Sequence, residues 1–78
     1  MYVPTGNELK AARALAGLRT GQVATLAKVD ASTLSRFEGF GHKTVRGHSD
    51  TITKITKLLT ARGVEITPGC VRLVKVRR

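Results

Sequence analysis

The sequence predicts a mostly α fold: four helices followed by a C-terminal β-hairpin, packed as one small domain. Three observations carry this. Apolar residues recur at helical spacing in four windows, each bounded by a capping residue or a glycine. After Gly63 the pattern changes to β-branched runs around Pro68-Gly69, a turn signal. With 78 residues there is room for one core only, and a core of that size gains from a second subunit.

The first helix opens on "TGNE", Thr5 to Glu8. This is a capping box: the Thr5 hydroxyl accepts from the third backbone N–H while Glu8 reaches back. Leu9, Ala12, Leu15 and Ala16 give the helix its apolar stripe, Gly17 ends it, and Leu18 follows as a plug. A second helix starts near Arg19 or Thr20 and carries Val23, Ala24, Leu26 and Ala27, whose small members let another helix come close. Lys28, Val29 and Asp30 then break the pattern for about three residues, the length of a helix-turn-helix corner.

Asp30 is placed to cap a third helix with the seam Leu34 and Phe37, stopped by Gly39. "GFGHKTVRGHS" reads as a basic, glycine-rich loop and as the most mobile segment. Ser49 or Asp50 caps the fourth helix, with Ile52, Ile55, Leu58 and Leu59 inward and Gly63 closing it at C′. The runs "VEIT" and "VRLVKV" then form the hairpin, which must pack on the helices or pair with another hairpin, because an isolated one is weak in water. Residues 1–63 thus form the helical part and residues 64–78 the hairpin of the same domain.

Composition narrows the function classes. Fourteen Lys and Arg against five Asp and Glu give a net charge of +9, which favours a polyanionic partner: nucleic acid first, an acidic protein or anionic membrane second. Tyr2, Phe37 and Phe40 are the whole aromatic complement, too few for a platform that stacks single-stranded bases. No segment approaches the roughly 20 apolar residues of a membrane span, the N-terminus lacks a signal pattern, and the lone Cys70 suits a reducing compartment. A cytoplasmic location is expected.

His42, His48 and Cys70 match no zinc-finger spacing and fall short of the four ligands of a closed site. "GFGHKTVRG" lacks the GKS/T ending of a phosphate-binding P-loop. No nucleophile–base or carboxylate pair suggests an enzyme, so neither metal nor cofactor is expected. The basic tail alternates as a strand and does not form an amphipathic, membrane-seeking helix.

The stretch "GLRTGQVATLAKVDASTLSRFEG", Gly17 to Gly39, resembles the Xre/Cro family of helix-turn-helix transcriptional regulators, the lambda-repressor-like DNA-binding domains. The positions that match the family pattern are Gly17, Leu18, Val23, Ala24, Ala27, Val29, Ser32, Thr33, Leu34, Ser35, Arg36, Phe37 and Glu38. Thr20 departs from it, standing where the family often has Gln. Lys28 departs too, standing where Gly or Asn is usual; held at φ > 0 it would cost roughly 1 kcal/mol relative to Gly. The loop from Gly39 to Ser49 is longer than is usual for the family, and the hairpin replaces a fifth helix.

The resemblance implies a recognition helix over residues 31–38 that enters the major groove of operator DNA, with bacterial or phage origin. Ala31, Ser32, Ser35 and Arg36 then contact bases, Arg36 forking onto guanine O6 and N7. Thr20, Thr33, Lys43 and Arg46 contact phosphates. A homodimer joins two half-sites, and the apolar residues of the hairpin, Val64, Ile66, Val71, Leu73, Val74 and Val76, are expected at its interface. Other readings of the same residues stay open. Ser32 and Ser35 also fit plain solvated positions, Arg36 also fits an ion pair with Glu38 or Asp30, and Glu38 fits a structural partnership with a basic residue of the first or second helix. A different function class, an antiactivator that captures another regulator, suits the same charge.

Overall fold

A computed structural model of the chain describes residues 2–74. The elements follow the order α1 (Gly6–Leu15), α2 (Thr20–Ala27), α3 (Ala31–Glu38), α4 (Ser49–Ala61), β1 (Val64–Thr67) and β2 (Cys70–Leu73). The fold is therefore mostly helical with a two-stranded antiparallel hairpin. No helix among the described residues is long and apolar enough to cross a membrane.

Local signals set most boundaries. The Thr5 hydroxyl accepts from the Glu8 N–H at 3.1 Å, and a Glu8 carboxylate oxygen accepts from the Thr5 N–H at 2.9 Å, so both halves of the capping box form. Gly17 and Gly63 take positive φ, 72° and 86°, and release the chain from α1 and α4. The corner between α2 and α3 is built on Lys28 in the left-handed region (φ 59°, ψ 47°), the strained option for a residue with a side chain. A hydrogen bond from the Val29 N–H to the Ala24 carbonyl, 2.9 Å, closes it. Two caps differ from expectation. Asp30 occupies the N-cap position of α3 but its side chain makes no cap bond, and His48 takes the N-cap position of α4, one residue before Ser49.

The core gathers Leu9 and Ala12 from α1, Val23 and Ala27 from α2, Leu34 and Phe37 from α3, Ile52, Ile55 and Leu59 from α4, with Val45 and Val64 from outside the helices. Leu15 and Leu26, read as members of apolar stripes, are instead 40% and 47% exposed. Val45 explains why the long loop is fastened rather than loose. It is buried, its N–H donates to the Pro4 carbonyl at 2.9 Å, and the Gly6 and Asn7 N–H groups donate to the carbonyls of Lys43 (3.2 Å) and Gly41 (2.8 Å). The expected mobile loop is thus laced to the start of α1.

The hairpin pairs Val64 with Leu73, Glu65 with Arg72, Ile66 with Val71 and Thr67 with Cys70. Directly paired residues share a face, so one face is apolar while the other carries the Glu65–Arg72 ion pair, 2.5 Å. The apolar face lies on α1 and α4 of its own chain. This corrects the interface expected for Val64: it is 1% exposed, inside the monomer core, because the chain leaves α4 at Gly63 and turns straight under the helices. Ile66 and Val71 are half-buried against the same core, and Val74 is half-buried with its N–H donating to the Gly63 carbonyl at 2.6 Å. Leu73 stays 51% exposed, and Val76 lies outside the described residues.

Glu8 ties this arrangement together. Besides capping α1 it accepts from the Tyr2 hydroxyl (2.6 Å) and from the Gly69 N–H in the hairpin turn (2.8 Å). Partial burial acts to raise its pKa, but the hydrogen bonds from Tyr2, Thr5 and Gly69 outweigh that and hold it below the ordinary glutamate value. A carboxylate with a lowered folded-state pKa adds stability that is full above its unfolded value of about 4.3 and is lost as pH falls through the lowered value. Glu8→Gln should therefore melt below the parent at pH 7, and the two melting temperatures should converge as thermal scans are carried below about pH 4. A constant difference across that range would remove Glu8 as the hairpin's anchor.

Candidate nucleic-acid interface

Burial of Leu34 and Phe37 fixes which side of α3 faces outward. Ala31, Ser32, Ser35 and Arg36 are all exposed on that side, and Thr33 is half-buried beside them. The exposed surface is thus short side chains with one long cation near the C-terminal end. The N-cap residue of α3 makes no side-chain cap bond; the Thr33 N–H donates to the Asp30 carbonyl at 3.1 Å, and the Ala31 and Ser32 N–H groups have no described backbone acceptor. Thr20 sits in the first turn of α2, half-buried.

Charge on α3 is sorted by one interaction. Glu38 is gripped by Arg13 of α1: Nε donates to one carboxylate oxygen at 2.7 Å and Nη2 to the other at 3.1 Å, a forked pair. Arg13 Nη1 also donates to the Leu18 carbonyl at 3.1 Å, so one guanidinium joins α1, the α1–α2 turn and the end of α3. Both side chains are largely shielded, 18% and 10% exposed, which limits screening by salt. The structural role read for Glu38 is the one found. Arg36, two residues earlier and on the outer side, makes no ion pair with Glu38, Asp30 or any other described carboxylate.

Arg36 and Lys43 line one shallow depression together with Gly39 and Phe40. Arg46 does not join them; it lines a separate depression with Val3, Val45, Gly47, Ser49 and Ile52. One residue of this surface escapes a reading of the sequence: Phe40 is half-buried and lines the depression with the two cations, signalled only by an apolar residue following a helix-ending glycine. Lys28, already distinguished by its departure from the family pattern, is exposed at the corner that leads into α3. Of the carboxylates, Glu8, Glu38 and Glu65 are engaged in hydrogen bonds or ion pairs within the chain.

His42 is exposed, His48 stands at the start of α4, and Cys70 is exposed in the hairpin; among the described residues no three potential ligands converge. Comparison with protein-family models, curated proteins and solved structures returns no match.

Proposed function

We propose that the chain is a sequence-specific DNA-binding transcriptional regulator of the lambda-repressor-like, Xre/Cro type, working as a homodimer on operator DNA with α3 as its recognition helix. The observation that carries this reading is the outer face of α3, which combines short side chains with an Arg36 that pairs with no described carboxylate, while the helix's own carboxylate is turned away onto Arg13. The major groove admits an α-helix with little width to spare, so short residues allow the approach and an uncommitted guanidinium supplies the guanine contact. The +9 charge supports a polyanionic partner. Base contacts fall to Ala31, Ser32, Ser35 and Arg36. Phosphate contacts fall to Thr20, Thr33, Lys43 and Arg46, with free N–H groups at the start of α3 adding to them.

Selection of bound duplexes from a random pool at low salt tests this. Enrichment of a defined sequence supports it. Absence of binding to any duplex, with tight capture of another regulator, reverses the ranking in favour of the antiactivator.

Lys43 and Arg46 separate the phosphate-binding part of the surface from the part that reads bases. Neutralising either should weaken all duplexes alike and reduce the slope of log affinity against log salt by about 1 for each phosphate that is no longer neutralised. Binding isotherms across a salt series check this; a changed sequence preference with an intact slope would move that residue to the bases.

Dimerisation follows from the size of the site, since one recognition helix reads about half an operator. With Val64 committed to the core, the contact narrows to Leu73 and the unpaired edge of the hairpin, joined across a two-fold axis. Removing the whole hairpin would open the core at Val64, so Leu73→Asp is the cleaner variant. It should sediment as a monomer at tens of micromolar, where the parent is a dimer, with its helical circular dichroism at room temperature unchanged and a melting temperature that no longer rises with protein concentration. A parent that sediments as a monomer at that concentration contradicts the dimer.

A further inference from the structure

A second surface lies on the outer side of α2. Leu18, half-buried at the α1–α2 turn, and Leu26, 47% exposed, form the apolar part of an open groove with a volume of about 720 Å³. Gly21, Gln22 and Thr25 also line it, together with Arg19 and Arg62. Neither arginine side chain pairs with a carboxylate among the described residues, and no carboxylate lines the groove. Leu26 stands on the solvent side of a helix that buries Val23, Ala24 and Ala27, while Leu18 packs partly against the core.

We propose that this groove docks an acidic amphipathic helix of a partner protein, its apolar residues seated between Leu18 and Leu26 and its carboxylates reaching Arg19 and Arg62. Charge selects this occupant. A second copy of a chain with net charge +9 brings like charge to two arginines that pair with no described carboxylate, and three of its five side-chain carboxylates are already engaged. Nucleic acid satisfies the arginines but leaves the apolar floor uncovered. Anchors at helical spacing laid into a groove are a recurring mode of peptide recognition, and flanking carboxylates add steering toward the basic rim. The groove lies away from the outer face of α3, but Thr20, read above as a phosphate contact, adjoins Arg19 and Gly21 of its rim, so competition by DNA is part of the test.

The test is an amide NMR titration of the full chain with a synthetic helical peptide carrying leucines at i and i+4 flanked by glutamates. A matched peptide with lysine in place of glutamate serves as its counterpart. Saturable shifts centred on Leu18, Gln22, Leu26 and Arg62 are expected with the acidic peptide and none with the basic one. Leu26→Ser and Arg62→Glu, both at exposed positions that leave the core intact, should each weaken binding by about tenfold. Shifts scattered over all basic segments, or an undiminished response in both variants, would overturn the proposal. So would displacement of the peptide by a short DNA duplex that moves the same amides, since that outcome makes the groove a seat for the nucleic-acid backbone.

Discussion

Replacing Arg36 by alanine should weaken operator binding by about 1–3 kcal/mol and relax the preference at one guanine position, leaving the others as they were. The size follows from the contact. A guanidinium that forks onto O6 and N7 makes two hydrogen bonds that no other base pair offers in the same places, so its removal takes away discrimination along with affinity. The structure supplies the condition for that contact: Arg36 is exposed and free of any described carboxylate, because Glu38 is held by Arg13 on the opposite side of α3. The same geometry predicts a linked effect. Arg13→Ala would leave a largely shielded Glu38 without its partner and loosen the seat of α3 against α1, so it should lower affinity for all duplexes together and leave the guanine preference as it was. Parallel binding-site selections on the parent and the two variants check both. An unchanged guanine preference in Arg36→Ala would remove that residue from the bases.

The largest stability effect is expected at Gly6. A Cβ built there would stand 2.7 Å from three backbone atoms: the carbonyl oxygens of Glu38 and Phe37 and the nitrogen of Gly41. None of these is a flexible side-chain end that can swing aside, so Gly6→Ala must push α1 away from the end of α3 and from the loop laced to it. Overpacking of this kind costs about 3 kcal/mol at the upper end of its usual range. For a domain of this size that should lower the melting temperature by more than about 10 °C. Gly21→Ala is the contrast. Gly21 lies within α2 with nothing in reach of a Cβ, so alanine should stabilise the protein by roughly 0.5–1 kcal/mol through helix propensity. Equal effects of the two substitutions in thermal scans would contradict the close approach at Gly6.

Gly6 also shows where sequence reading stops. The capping box at Thr5 and Glu8, the exits at Gly17 and Gly63 and the turn at Pro68-Gly69 are local signals, each depending on residues within a few positions, and all are legible. Tertiary partners are not. Glu8 declares a cap but not its bond to Gly69, 61 residues away. Gly6 reads as an ordinary helix start until α3 is set against it. Val45 stands between polar neighbours in its loop, too little for a pattern, yet it fastens that loop into the core. The apolar residues of the hairpin point to an interface with a second copy, whereas the turn at Gly63 drives Val64 into the core of its own chain.

For the candidate site, outward placement of Ala31, Ser32, Ser35 and Arg36 follows from the seam of Leu34 and Phe37, because helical period alone decides it. The partner that turns Glu38 away from the surface is foreseeable only as some basic residue of α1 or α2. Sequence spacing cannot choose Arg13, since that requires the crossing of α1 with α3. The separation of Arg46 from the depression shared by Arg36 and Lys43 likewise comes from the path of the loop.

The central claim is that α3 reads base edges in the major groove. Methylation interference with the full chain on a selected duplex tests it most directly, because dimethyl sulfate marks guanine N7 in the major groove and adenine N3 in the minor groove. Interference should fall at guanine N7 in two clusters about one helical turn, ~34 Å, apart, and one guanine in each cluster should lose its effect with Arg36→Ala. Interference confined to adenine N3, or guanine interference identical in the parent and Arg36→Ala, would contradict it.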